Sequence, residues 1–175
     1  GTASQWVDDV WCLATKPSAD GAFHGTPGEE NTACGACFCN DGDGIVEAHA
    51  PGPGEILITE VMADVPGGET DGAMMEWFEA TLLPSVDGPR ALACVKVAKE
   101  LDDTPKPLAG EAQACLEFGP GATIVFGRSL DPAETGGVEA DVVFPSLSLK
   151  GDDGTLVLFA PDGSALDFAS WGDSD

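Results

Sequence analysis

The stretch GEILITEVMADVPGGETDGAMMEWFEATLL, residues 54–83, decides the fold because it joins two strongly patterned β-strands through an acidic, glycine-rich loop. Between Glu55 and Val61, a β-branched apolar run ends on Glu60. Between Glu76 and Leu82, apolar positions 78, 80 and 82 alternate with positions 77, 79 and 81. A period of two in residues that favour strands is typical of a strand that buries one face.

Six more strands are predicted along the chain, at residues 91–98, 114–118, 123–126, 141–144, 155–160 and 165–171. Nearly every connection between them contains Gly, Pro or Asp, and Asp162-Gly163 predicts a hairpin turn because glycine adopts a positive φ without a Cβ penalty. No window has a convincing helical stripe. Several short strands at regular spacing indicate one all-β sandwich, which we place at residues 55–175.

The charge, the apolar content and the cysteine count limit which partners the protein binds and in which compartment it is found. The net charge of −24, from 31 acidic and 7 basic residues, repels phosphate backbones and anionic headgroups, so we expect no nucleic-acid partner. No apolar run approaches 18 residues, so we expect no membrane insertion. Six cysteines in a small acidic chain predict disulfides and an extracellular or cell-surface location. The start at Gly1, without a signal peptide, is expected of a mature secreted chain or of a segment cut from a longer one.

Residues 1–54 are predicted to be less regular than the sandwich. Residues 1–39 are interpreted as an N-terminal arm with a cysteine cluster, and residues 40–54, rich in Asp, Gly and Pro, as a linker or long loop. We expect little regular structure in the arm beyond one extended, partly buried strand. Its apolar side chains are those of Trp6, Val7, Val10, Trp11 and Leu13.

Four motifs occur in order between residues 55 and 172: EILITEVMAD, EWFEATLLPSVDG, GATIVFGRSLDP and FPSLSLKGDDGTLVLFAPDGSALDFASWG. Together they resemble the lamin tail domain in its bacterial secreted form. The resemblance covers most of the chain and implies an immunoglobulin-like β-sandwich. It does not imply a nuclear role, because the coiled-coil rod of nuclear lamins has no counterpart in this sequence.

The resemblance also extends to the arm. Bacterial domains of this type commonly end with a Trp-Cys pair, a GTPG-type turn and a final Asn and Cys. Here the matching residues lie at the front of the chain, as Trp11-Cys12, 25–28, Asn31 and Cys34.

The family order therefore implies that residues 167–175 should continue into residues 1–6. Three arrangements would explain this order: one period of a tandem array, a subunit whose arm completes its neighbour's sandwich, or a circular permutation closed within one molecule. The first two make a fibre. We expect the arm, at Trp6, Val7, Val10, Trp11 and Leu13, to be the subunit interface.

The cysteines leave several pairings open. Cys94 and Cys115 flank about 20 residues between two predicted strands, so we predict a disulfide there that contributes about 3 kcal/mol. Cys34, Cys37 and Cys39 are too close together in sequence for all three to pair locally. We therefore predict that at least one of them forms a disulfide with Cys12. Zinc bound by thiolates is the alternative, although an oxidising compartment disfavours it. The four residues concerned are Cys12, Cys34, Cys37 and Cys39.

Residues 40–47, NDGDGIVE, resemble a calcium loop in their clustered carboxylates. Asp41, Asp43 and Glu47 are the candidate ligands, but Ile45 stands where an EF-hand has a third oxygen ligand. A solvated acidic linker is the alternative interpretation. Apart from calcium, no cofactor is expected.

The sequence gives little support to catalysis, and we predict no enzyme and no catalytic residues. The only two histidines, His24 and His49, lie among Gly or Pro residues, and no nucleophile elbow or metal-hydrolase motif is present. Glu76 and Glu79 are paired carboxylates, but glutamates beside strand aromatics usually mark the solvated face of a sheet.

The primary hypothesis is an extracellular structural protein that assembles head to tail, with itself as partner, into a filament or surface fibre stabilised by disulfides. The alternative is a monomeric, calcium-dependent binding or adhesion module of a secreted protein. Fold alone does not decide between them, because β-sandwiches host many unrelated functions.

Overall fold

The computed structural model describes residues 36–63, 75–101, 103–108, 114–144, 147–149, 151 and 153–172, together with the backbone of two strands near the N-terminus. This part of the chain is all-β and contains no α-helix. Its strands are Ser4–Val7 (β1), Val10–Leu13 (β2), Cys37–Asn40 (β3), Ile45–Ala48 (β4), Ile56–Met62 (β5), Trp77–Leu82 (β6), Arg90–Ala91 (β7), Lys96–Ala98 (β8), Lys106–Pro107 (β9), Glu117–Phe118 (β10), Thr123–Gly127 (β11), Val142–Val143 (β12), Gly154–Phe159 (β13) and Ala165–Trp171 (β14).

The first large sheet has the strand order β12-β11-β6-β5. Strand β6 pairs with β5 and with β11 in antiparallel orientation, whereas the short β12 runs parallel to β11. Along β6, Phe78, Ala80 and Leu82 are buried, while the residues between them are partly exposed. The alternation predicted from the sequence is therefore confirmed.

The second large sheet has the order β14-β13-β8-β9 and is antiparallel throughout. The turn between β13 and β14 is the predicted Asp162-Gly163 hairpin. The backbone N–H of Ala160 donates to the carbonyl of Ser164 at 2.8 Å, and Gly163 has a φ of +90°. The Asp162 side chain accepts a hydrogen bond from the Ser164 N–H at 2.8 Å and so fixes the turn.

The two sheets pack face to face into the predicted β-sandwich. Their shared core includes Ile56, Phe78, Leu82, Ile124 and Phe126 from the first sheet and Val97, Leu156, Leu158 and Leu166 from the second. The rings of Phe78 and Phe126 stack with their centroids 4.6 Å apart, and Phe144 meets Phe78 edge-on at 5.4 Å. At one side the sheets are joined, because the Gly54 N–H donates to the Leu166 carbonyl at 3.3 Å.

The strand predicted at residues 91–98 is interrupted, contrary to expectation. Ala91 ends β7 and pairs with β10, whereas Lys96 begins β8 and pairs with β13. Between them the Val95 N–H donates to the Leu92 carbonyl in a turn. Leu92 and Val95 both belong to the main core cluster, whereas residues three apart lie on opposite faces of a regular strand. The turn therefore lets both side chains enter the same core.

The segment predicted as a linker or long loop, residues 40–54, also differs from expectation. It contains β4, which pairs with β3 in an antiparallel hairpin. The His49 carbonyl accepts a hydrogen bond from the Ala91 N–H at 2.8 Å, and Asn40 forms a parallel bridge with Ala114. This segment is therefore attached to the sandwich instead of spacing it from the arm.

Candidate functional site

The N-terminal arm forms a hairpin, not the single extended strand predicted from the sequence. β1 pairs with β2 so that Trp6 lies opposite Trp11 and Val7 opposite Val10. In the sequence, Asp8-Asp9 separates the two strands, and aspartate is depleted in strands and common in turns. The hairpin is a sheet of its own, distinct from both large sheets. All five predicted interface residues, including Leu13, are thus placed on one hairpin.

The β3–β4 hairpin is bonded covalently to the sandwich through both cysteines of β3. Cys37 pairs with Cys94 and Cys39 with Cys115, across sequence separations of 57 and 76 residues. The predicted Cys94–Cys115 disulfide is therefore wrong. The reason is that β3 lies beside both segments, as its bridge to Ala114 indicates, and offers two cysteines on one face.

The same pairing removes the zinc alternative, because Cys37 and Cys39 are bonded to sulfur and have no thiolate to give. Cys12 and Cys34 lie outside the residues whose side chains are described. Around the two disulfides, a small cluster buries Cys37, Cys39, Ala48 and Ala91. Two disulfides in one domain indicate a non-reducing environment.

The acidic tip of the β3–β4 hairpin is organised by its own side chains. Asn40 Oδ1 accepts a hydrogen bond from the Gly42 N–H at 2.8 Å. Asp41 Oδ1 accepts bonds from the N–H groups of Asp43 and Gly44 at 2.9 and 3.0 Å. Asp41 thus stabilises a turn, which gives it a structural role without a metal.

Calcium binding at Asp41, Asp43 and Glu47 stays a prediction. All three side chains are exposed. Among the described residues, no group of three His, Cys, Asp or Glu side chains is placed to hold a metal ion. These three would therefore have to come together on binding.

A groove of about 260 Å³ lies beside this hairpin, between residues 49–53 and the β13–β14 turn. His49, Glu47, Asp162 and Ser164 contribute its polar groups. Ser164 donates to the Asp162 carboxylate from its hydroxyl at 2.7 Å and from its N–H, and these bonds lower the pKa of Asp162. That carboxylate therefore stabilises the turn, and no ligand is assigned to the groove.

An ion pair between Arg90 and Glu55, which was not predicted from the sequence, stabilises the start of the sandwich. Arg90 donates from Nε to Glu55 Oε2 at 2.9 Å and from Nη2 to Oε1 at 3.0 Å, while the Gly52 N–H donates to Oε2 at 2.8 Å. These bonds, with that from Arg90 the largest cause, lower the pKa of Glu55 to about 2. Glu55 thereby links residue 52, β5 and β7.

The pair Glu76 and Glu79 is separated by the structure. Glu79 is partly exposed and accepts a hydrogen bond from the Thr59 hydroxyl, which fits the solvated face. Glu76 does not fit it, because only 3% of its surface is exposed. The sequence indicated this burial, because residue 76 is an even number of positions from the buried residues 78, 80 and 82 and so lies on the same face of the strand.

Comparison with known proteins leaves the chain without an assigned family. No protein-family model matches it, and no curated protein matches it either. The lamin-tail resemblance accordingly stays a prediction from the motifs. Within the described part of the chain, no helix is both long and apolar enough to cross a membrane.

Proposed function

We propose that this protein is an extracellular structural protein that assembles head to tail, through its N-terminal hairpin, into a filament or surface fibre stabilised by disulfides. We also propose that its sandwich is immunoglobulin-like and related to lamin tail domains. The four motifs in family order support this second part.

The observation that carries the assembly proposal is the separate β1–β2 hairpin. An isolated two-stranded hairpin is marginally stable in water and needs a further apolar surface to pack against. This one carries Trp6, Val7, Val10, Trp11 and Leu13 within ten residues and belongs to neither large sheet. Large aromatic side chains of this kind are the usual anchors of protein interfaces. We propose that the hairpin packs against the sandwich of a neighbouring subunit.

A candidate receiving surface is the edge strand β14. It occupies the outer position of the second sheet and is seven residues long. Its start is already bonded to the first sheet's side through Leu166 and Asp167, so only the rest of the strand is a candidate edge. Near its middle, Phe168 exposes 62% of its surface. Exposed edge strands accept a further strand from another chain. The family order supports the same location, since it implies that the segment after Trp171 corresponds to the start of the chain.

The charge and the geometry favour an ordered assembly. A net charge of −24 opposes non-specific association, so subunits join only where a specific contact compensates the repulsion. A contact between two different surfaces repeats without limit unless the rotation closes into a ring. Arm-to-sandwich contacts join two different surfaces in this way, and the open, linear case is the one we propose.

The test compares the wild type with the double variant Trp6→Ala/Trp11→Ala by light scattering after size exclusion and by negative-stain electron microscopy. We expect filaments for the wild type and monomers for the variant. Leu130→Ala is the matched control, because it removes an apolar side chain that is 57% exposed and lies far from the hairpin in sequence. A wild type that stays monomeric at all concentrations, or a double variant that assembles normally, would refute the proposal.

A further inference from the structure

Glu76 lies in an unusual position for a carboxyl group. It directly precedes β6 and shares the inward-facing side with Phe78, Ala80 and Leu82. Only 3% of its surface is exposed. The carboxyl group is therefore inside one end of the sandwich, where an ionised oxygen has little contact with water.

The two oxygens of this carboxyl group have different surroundings. Oε1 accepts a hydrogen bond from the Ser148 hydroxyl at 3.3 Å, and the backbone N–H of Leu149 also donates to the group. Oε2 is buried and has no hydrogen-bond partner among the described residues. The carboxyl group thus joins residues 147–149 to the start of β6 while one of its oxygens stays uncompensated.

Two cations face the carboxyl group from neighbouring strands. Arg128 follows β11 and Lys99 follows β8, and the charge of each favours the ionised form. The Arg128 guanidinium is also held elsewhere, since it donates to the Leu147 carbonyl at 3.2 Å and lies 5.2 Å from the centre of the Phe144 ring. Burial outweighs the hydrogen bonds and these two charges, and it raises the pKa of Glu76 above its ordinary value of 4.5.

Solvent reaches the residues that hold this carboxyl group. Ser148 and Leu149 line a pocket of about 30 Å³, together with Lys99, Glu100 and Trp171. That volume accommodates a water molecule. The pocket therefore brings solvent to the two residues that bond to the carboxyl group, while Glu76 itself lies behind them.

We propose that Glu76 is a proton-operated latch: as a neutral acid it holds residues 147–149 against the start of β6, and its ionisation releases that segment. The direction in which stability changes with pH follows from the linkage between proton binding and folding. A group whose pKa is higher in the folded state binds its proton more tightly there. Its stabilising effect is complete below pH 4.5 and is lost as the pH rises through the folded-state pKa. This latch does not depend on the proposed assembly.

The test measures amide hydrogen exchange at Leu149 between pH 4 and 8, corrected for the intrinsic pH dependence of exchange. In the wild type, we expect protection to fall about tenfold for each unit by which the folded-state pKa exceeds 4.5. Glu76→Gln, which imitates the neutral acid, should lose this dependence. Glu60→Gln is the control, because it makes the same change at an exposed position of the first sheet and should behave as the wild type.

Equal pH dependence of protection in the wild type and Glu76→Gln would overturn the proposal. If Glu76→Gln does not fold, a carbon-13 titration of the Glu76 carboxyl group in the wild type decides instead. A titration midpoint above 4.5 that coincides with the pH at which protection of Leu149 falls supports the latch. A midpoint at or below 4.5, or protection that does not change across the midpoint, refutes it.

Discussion

Removal of either disulfide of β3 should destabilise the sandwich strongly. The variants are Cys37→Ala/Cys94→Ala and Cys39→Ala/Cys115→Ala, each of which removes both partners and leaves no free thiol. A disulfide restricts the unfolded chain by closing a loop, and the effect grows with the logarithm of the loop length. For separations of 57 and 76 residues the chain-entropy relation gives about 4 kcal/mol for each bond.

The two losses should not add fully. The loops 37–94 and 39–115 overlap, so one disulfide already restricts most of the chain that the other closes. A domain of this kind has a free energy of unfolding of about 5–15 kcal/mol, so loss of one bond removes a large part of it. Urea unfolding followed by tryptophan fluorescence measures the difference.

The pairing itself can be verified by peptide mapping without reduction. Trypsin does not cut before proline and so places the four cysteines on three peptides, residues 1–90, 91–96 and 100–128. The observed pairing keeps all three joined, whereas a Cys94–Cys115 bond would join only the second and third. The pairing is refuted if those two peptides separate from 1–90, and its stabilising role is refuted if either double variant loses less than about 1 kcal/mol.

Three further predictions concern single positions. Gly154→Ala would place a Cβ 2.5 Å from the indole of Trp171 and should cost about 1–3 kcal/mol in thermal unfolding, whereas Gly44→Ala, with no atom within 4 Å, should cost little; equal losses would contradict this. The Glu55 carboxylate, with its pKa lowered to about 2, stabilises the fold above pH 4.5, and this effect is lost as the pH falls toward 2. Since Glu55 is about one-third exposed, Glu55→Gln should cost only about 1 kcal/mol at pH 7, and a difference that persists below pH 2 would refute the assignment. Phe168→Asp should shift assembly toward monomers in sedimentation velocity without lowering the melting temperature, and unchanged assembly would exclude β14 as the receiving strand.

Features that depend on neighbouring residues were predictable from the sequence. The alternation in β6 follows from the period of a strand, and the Asp162-Gly163 turn follows from a backbone angle that glycine adopts easily. Both properties are encoded within a few residues. Strands β5, β6, β11, β13 and β14 were accordingly predicted to within one residue at each end, whereas β8 was not.

Features that depend on distant parts of the chain were not predictable. The cysteine partners are 57 and 76 residues apart, and sequence spacing favours nearer partners that the fold separates. The turn between Leu92 and Val95 forms because both side chains enter the core, which only the assembled sandwich decides. Glu76 is the opposite case: its position indicated burial, but its charge suggested the surface.

The two disulfides of β3 also determine how the molecule would respond to mechanical tension. A force that pulls on the two ends of the chain crosses from Cys39 to Cys115 through the sulfur bridge, so the 76-residue separation between them is bypassed. At full extension of about 3.4 Å per residue, the bond withholds roughly 250 Å of contour length from stretching. Under oxidising conditions, an unfolding chain would therefore lengthen only through the segments on either side of the 39–115 loop, and a covalent bond would bear the load between them.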